Sequence, residues 1–344
     1  MLRQLSKVLS GNTNKRFISS TSACFSRITV IGSAGGIGQA LAMLIKADRL
    51  VSDLVLMDIK NTDGIAADVS HIDTFSGVKA FTGADKLEQS LECSNLVVVA
   101  AGVARTDKTT TRAALFDANK DLIYQITALK AKICPEAILA IITNPVNALV
   151  PLAAETLKQL NSYDPKKLFG VTKLDTMRAR TFIGEHLLVD PAKVKVNVIG
   201  GHSSNTIIPL ISTATPKVQG DCEELSVIYE RIRCAGAAVV KAKGGKESAQ
   251  LSMAYVAATF CNSLLKAMEG KSGVVDVAYV ESKVMPEVKF FSSNVELSKE
   301  GIKGFEALPA MSNYEKELLK KALPELKDSI EQGIKYAQSK KGQK

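Results

Sequence analysis

The sequence predicts an α/β fold, a doubly wound parallel sheet followed by an α+β domain. Three observations predict it. Short apolar runs rich in β-branched residues alternate with helical stretches through the first half of the chain. A glycine-rich turn joins the first apolar run to the first helix. From about Phe169 the alternation stops and long helical stretches dominate.

Arg27–Ile31 (RITVI) reads as the first buried strand, and Gly36–Lys46 as the helix after it. Leu54–Ile59 (LVLMDI), Asn95–Ala100 (NLVVVA) and Ala137–Thr143 (AILAIIT) read as further strands, with a long helix over Arg112–Ile133 between the last two. Strands without polar alternation suit a parallel sheet covered on both faces. Beyond Phe169, helices are expected over Leu174–Leu188, Glu223–Lys243 and Gln250–Glu269. Strand-like runs occur at Lys195–Ile199 and Val274–Val280, and a charged amphipathic helix closes the chain over about Asn313–Gln338. The expected organisation is an N-terminal leader over 1–24, a first domain over 25–168 and a second over 169–344.

At 344 residues the chain buries a core without disulfides or a structural metal. Hydrophobic residues make up 46% and charged residues 23%, which argues against a disordered chain. No window of 18 uninterrupted apolar residues occurs, so no membrane-spanning helix is expected. The six cysteines are scattered without a C-x-x-C pair, so neither a zinc site nor any other metal site is indicated, and a reducing compartment is the simplest setting.

The formal charge is +9, but its distribution is uneven. No acid precedes Asp48, whereas Arg3, Lys7, Lys15 and Arg16 all fall within residues 1–24; without those four charges nine becomes five. The same segment is serine-rich, and Leu2, Leu5 and Leu9 share one helical face. A basic, acid-free, amphipathic start is the mitochondrial transit pattern and points to the matrix. Nucleic acid, the other explanation for surplus charge, fits poorly, because aromatics are 5% of the chain and Trp is absent.

The first chemical signal is Gly32-Ser33-Ala34-Gly35-Gly36-Ile37-Gly38, directly after the first strand. Gly32 suits a tight turn, Gly35 lets backbone approach a pyrophosphate, and Gly38 lets the helix pack close to the sheet. The anion would sit over the helix N-terminus, where N–H groups point outward. Twenty residues after Gly38, Asp58 ends the second strand, where an acid accepts hydrogen bonds from the adenosine ribose and repels a 2′-phosphate. This is a Rossmann arrangement that favours NAD over NADP.

The polar residues suggest hydride transfer. Of three histidines, His71 and His186 read as helix-end and helix residues. His202 follows an apolar strand and a Gly-Gly pair, a place from which it can face a cleft. Asp175 and Arg178, three apart at a helix start, can point the same way. An Asp fixes the tautomer of a nearby His, and an Arg offers a planar fork for a carboxylate. Arg105 and Arg112 flank a threonine-rich segment after the strand at Asn95–Ala100, at the edge of a parallel sheet where ligands bind. Surface salt bridges and a solvated charge run are the plain alternatives for these arginines. Together, three arginines and one acid–base group suit a dicarboxylate that undergoes proton-coupled hydride transfer.

The runs GSAGGIGQALAMLIK, DGIAADVSHI, ITNPVN, VTKLDTMRARTF, IGGHSSNTIIPL and LSMAYVA occur in this order. Over about residues 27–340 they closely resemble the lactate/malate dehydrogenase family, in its mitochondrial and eubacterial malate branch. The IGGH–TIIPL and LDxxR motifs are much more specific than the glycine loop. The resemblance implies reversible NAD-dependent oxidation of (S)-malate to oxaloacetate, as in the tricarboxylic acid cycle, by a homodimer. It implies that His202 accepts the hydroxyl proton with Asp175 behind it. Arg178 then binds the C1 carboxylate, Arg105 the C4 carboxylate, and Arg112 polarises the reacting carbonyl. Asn144 contacts substrate and the nicotinamide side, and Ile142, Thr143, Asn119 and Met253 match NAD-contacting positions.

Two departures stand out. The loop arginines are seven apart here, where the family has six, and its Pro and Gly are missing. Counting back from Arg112 puts the uncharged Thr106 at the selecting position, which leaves a lactate-type 2-hydroxy acid dehydrogenase as the alternative. Arg105 is preferred because a loop absorbs one residue more easily than a missing counter-charge is replaced. Asn205 stands where the family often carries Lys.

Overall fold

The computed structural model describes residues 26–104, 106 and 111–341. The leader over 1–24 and Arg105 lie outside the described residues.

Five parallel pairings build the first half of the sheet. The strands are β1 (Arg27–Ile31), β2 (Asp53–Asp58), β3 (Gly77–Thr82), β4 (Leu96–Val99), β5 (Ile138–Ile141) and β6 (Leu168–Gly170), in the order 3-2-1-4-5-6. This is the doubly wound order, whose ligand crevice opens where the order reverses, between β1 and β4. The uninterrupted apolar strands are buried on both sides, as their composition requires. Ile31, Val97, Val99, Leu139 and Ile141 belong to one core, and Ile28, Val30, Leu96, Val98 and Ala140 to the other.

Each face is covered by helices. The first core takes in residues of α4 (Arg112–Ile133), α5 (Val146–Gln159) and α9 (Asn313–Ser339). The second takes in residues of α1 (Gly36–Lys46) and α8 (Leu251–Met268). The bounds expected for the helices at 36–46 and 112–133 match those observed. Thr111 caps the second of these, its hydroxyl accepting the Ala114 N–H at 3.2 Å.

The sheet continues beyond β6. The remaining strands are β7 (Val198–Gly200), β8 (Ile207–Pro209), β9 (Val274–Glu281), β10 (Phe290–Ser298) and β11 (Gly301–Phe305). The order runs on as 6-9-10-7-8, all antiparallel, with β11 paired to β10. The helices α6 (Lys173–Leu187) and α7 (Cys222–Ala242) pack here, within two residues of the bounds read from sequence.

Several elements have no counterpart in the sequence reading, among them β3, α5, β10 and β11. Strand β3 (GVKAFT) is an edge with exposed and half-buried positions, so it lacks an apolar run. Helix α5 is obscured by Pro145 before it and Pro151 inside it. Pro151 removes the N–H that would reach Asn147 O. The hydroxyl of buried Tyr279 donates to that carbonyl instead, at 3.3 Å. The strand expected at Lys195–Ile199 forms only at Val198–Gly200; Lys195 makes an isolated bridge to Thr215.

Candidate active site

The glycine loop has the geometry a dinucleotide needs. Gly32 sits at φ +90°, and a Cβ there would lie 2.3 Å from Ala101 N, so only glycine fits the turn. A Cβ at Gly38 would lie 2.0 Å from Gly32 O, which shows how closely the helix start approaches the loop. Gly35 is the N-cap of α1 and brings no capping side chain, so this helix end could accommodate an anion. Ser33 is fully buried and Gly36 faces the Gln250 side chain. The Asp58 carboxylate is drawn to this loop: its two oxygens accept the Ala34 N–H at 2.9 Å and the Ile59 N–H at 2.7 Å.

A cavity of about 350 Å³ opens beside the ends of β4 and β5. It brings together Ile37, Arg112, Ile142, Thr143, Asn144, Asp175, Arg178, His202 and Met253, which are scattered over more than two hundred residues of sequence. Thr143 donates its hydroxyl proton to Ala101 O at 2.6 Å, tying the loop after β5 to the loop after β4. Asn119 is fully buried behind these loops. Its Oδ1 accepts the Val103 N–H at 2.7 Å, while Nδ2 donates to Val103 O at 3.1 Å and Asn144 O at 2.8 Å. Its amide thus shapes the two loops rather than facing the cavity. The Asn144–Pro145 peptide is cis.

Asp175 stands in the first turn of α6, where the helix dipole favours a negative charge. Its Oδ2 lies 2.5 Å from His202 Nδ1. The side chains of Asp175, His202 and Arg178 are only 2%, 12% and 13% exposed, so the group is held in a dry, weakly screened setting. The His202 N–H donates to Asn147 Oδ1 at 2.8 Å, and Asn147 Nδ2 donates to Thr206 Oγ1 at 3.1 Å, which fixes the backbone that carries the imidazole. With Nδ1 on Asp175, the other ring nitrogen, Nε2, is the one available to exchange a proton with a ligand. Arg178 Nη1 is 3.6 Å from Asp175 Oδ1. Burial pulls the guanidinium below its ordinary pKa, and the Asp175 charge opposes that shift.

Arg112 opens α4 and pairs with Glu325 of α9. The same carboxylate accepts from Ser203 Oγ at 2.9 Å and Asn205 Nδ2 at 2.9 Å. Asn205 therefore supplies a neutral donor to a carboxylate already paired with a cation. Asn147, Glu325 and Arg233, which also lines the cavity, were not singled out by sequence. Asn147 ends the NPVN run and could have been read there; nothing local marks the other two. His71 caps the C-terminus of α2 (Thr62–Ser70), and His186 lies in the last turn of α6 with Nε2 3.4 Å from Gln219 O. Among the described residues, no three His, Cys, Asp or Glu side chains could hold a metal, and no helix is long and apolar enough to cross a membrane.

Two family profiles match the chain. Residues 26–170 match the lactate/malate dehydrogenase NAD binding domain, and residues 172–337 the lactate/malate dehydrogenase alpha/beta C-terminal domain. Malate dehydrogenase 1, mitochondrial, of Arabidopsis thaliana is 46% identical over 323 residues, covering 94% of each chain. The mitochondrial malate dehydrogenase of Homo sapiens is 43% identical over 341 residues, 99% of this chain and all of that one. The structure of Cryptosporidium parvum malate dehydrogenase superposes with a TM-score of 0.78 at 25% identity, covering 91% of this chain and 99% of its own.

Proposed function

The chain belongs to the lactate/malate dehydrogenase family, and from that premise we propose how its residues carry the reaction. The reaction is the reversible NAD-dependent oxidation of malate to oxaloacetate. The lactate-type alternative is not favoured, since relatives across nearly the whole chain are malate dehydrogenases.

NAD, when bound, supplies the acceptor for the hydride that leaves C2. The glycine loop Gly32–Gly38 and the α1 N-terminus would hold its pyrophosphate, and Asp58 would hold the adenosine ribose diol. The residues fit the cofactor: the loop glycines bring no side chains of their own, Gly35 leaves the start of α1 without a capping side chain, and the Asp58 carboxylate is in place beside them, with Gln250 lying against Gly36. Ile142, Thr143, Asn144 and Met253 form the nicotinamide side, with Asn119 behind them as a support.

His202 takes the hydroxyl proton on Nε2 as the C2–H bond breaks, and returns it in the reverse direction. Asp175 keeps Nδ1 protonated and stabilises the imidazolium that forms. Arg178 grips the C1 carboxylate in a two-pronged hydrogen bond and so aims C2 at the cofactor. Arg112 releases Glu325 and polarises the C2 oxygen, Asn144 orients it, and Arg105 faces the C4 carboxylate. The observation that carries this reading is the His202–Asp175 pair at 2.5 Å with Arg178 on the same helix turn.

The chain is mitochondrial, as are the relatives it matches, and we place it in the matrix on the strength of the basic leader. We also propose a homodimer: α1 and α8 pack together and leave Met43, Leu251 and Tyr255 exposed, and Thr74, next to the fully exposed Phe75, is tied to Lys46 at the end of α1. The reading is tested by following NADH oxidation with oxaloacetate and pyruvate in parallel. Fast turnover of oxaloacetate alone is expected; a preference for pyruvate would overturn it.

A further inference from the structure

We infer that Arg233, on α7, is a second carboxylate-binding guanidinium of the cavity, one that engages the far carboxylate of a dicarboxylate substrate and so contributes to substrate choice. This rests on the dicarboxylate reading above and deepens it.

Helix α7 lines the cavity with Arg233, Gly236, Ala237 and Val240. Their spacing of three, four and seven places them on one stripe. A Cβ at Gly236 would lie 3.6 Å from Arg178 Nη1, so the guanidinium assigned to the near carboxylate lies against the middle of that stripe. The C-terminal end of α7 leads on to Ser248, Ala249 and Met253, which also line the cavity, Met253 being the residue placed above on the nicotinamide side. Arg233 therefore stands at the opposite end, three residues and roughly 4.5 Å of helix rise before the residue that meets Arg178. That spacing is comparable with the distance between the carboxylates of a short diacid.

The side chain is also in an unsettled electrostatic state. It is only 14% exposed, and its Nε is buried with no hydrogen-bond partner among the described residues. Nη1 donates to Glu230 Oε1 at 2.5 Å, but Glu230 is 52% exposed, and an ion pair reaching into solvent at i,i+3 is weak. A desolvated N–H without an acceptor is unfavourable. A carboxylate entering the cavity offers the guanidinium a desolvated acceptor in place of the exposed Glu230. A monocarboxylate bound at Arg178 reaches no farther and leaves Arg233 as it is.

The test compares oxaloacetate with pyruvate in two variants. Arg233→Gln is expected to lower kcat/KM for oxaloacetate by about 10- to 100-fold, mainly through KM, and to change pyruvate by less than about twofold. Glu230→Gln, which removes the competing carboxylate at an exposed site, is expected to lower the oxaloacetate KM and leave the pyruvate KM unchanged. An unaltered oxaloacetate-to-pyruvate ratio in Arg233→Gln, or an equal loss for both substrates, overturns the inference and reduces Arg233 to a helix-packing residue. Should that variant fail to fold, an unchanged KM in Glu230→Gln overturns it alone. Neither outcome touches the dicarboxylate reading, which stands or falls on the wild-type enzyme and on Arg105.

Discussion

A histidine does acid–base work only when one ring nitrogen is tied and the other faces the substrate. His202 meets the first condition through Asp175, and its main chain is pinned by Asn147. His202→Asn keeps the size and polarity of the group but removes the proton acceptor. It is expected to cut kcat on the order of 100-fold or more, while fluorescence titration of NADH gives a near-normal Kd; near-normal turnover would reject the role. Arg105 is tested by its charge. A desolvated carboxylate without a counter-ion is costly, so Arg105→Gln should lose roughly 2–5 kcal/mol of transition-state binding for oxaloacetate. Pyruvate, which lacks the second carboxylate, should lose little or gain. If steady-state kinetics show the preference unchanged, Thr106 or another residue does the selecting.

At the scale of elements, the end of α4 carries a buried charge with a measurable signature. Lys130 is 2% exposed and its ammonium donates to Pro135 O at 2.5 Å. Burial pulls it from the ordinary 10.5 down to about 8. Between these values the unfolded chain holds a proton that the folded chain has lost, so stability attributable to Lys130 rises with pH across that window. The nearby Cys134 thiol is pushed up to about 11 by burial and works in the opposite sense, so the comparison belongs in a Cys134→Ala background. There, chemical denaturation should show the advantage of Lys130→Met shrinking by about 1–3 kcal/mol from pH 7 to pH 10. A constant difference would mean that Lys130 is neutral or solvated throughout.

At the scale of the molecule, the leader sequence and one apolar surface make predictions. The acid-free leader should act alone: residues 1–24 fused to a fluorescent reporter should carry it into mitochondria, and a diffuse cytosolic signal with uncleaved chain would reject the transit role. The exposed apolar residues of α1 and α8 should be covered by a second copy. Met43→Asp combined with Tyr255→Glu is expected to halve the mass seen by analytical ultracentrifugation and to leave a folded protomer. A wild-type chain that sediments as a monomer would remove the dimer.

The sequence by itself determined the class of fold, because apolar strands at β1, β4 and β5 admit no exposed face, and a glycine at 32 with an acid at 58 leaves few other uses. It also marked His202, Asp175 and Arg178 by their local spacing and motifs, and the structure brings these three together. It did not mark β3, whose edge position needs no apolar run, or α5, whose prolines are tolerated because Tyr279, far along the chain, satisfies the freed carbonyl. Only the tertiary structure decided which charges meet. Glu325 reaches Arg112 and Asn205, and Arg233 lines the same cavity as Arg178, across separations that no periodicity encodes. Backbone pattern is set by short-range sterics and burial, whereas a site is set by where distant side chains arrive once the two cores have closed.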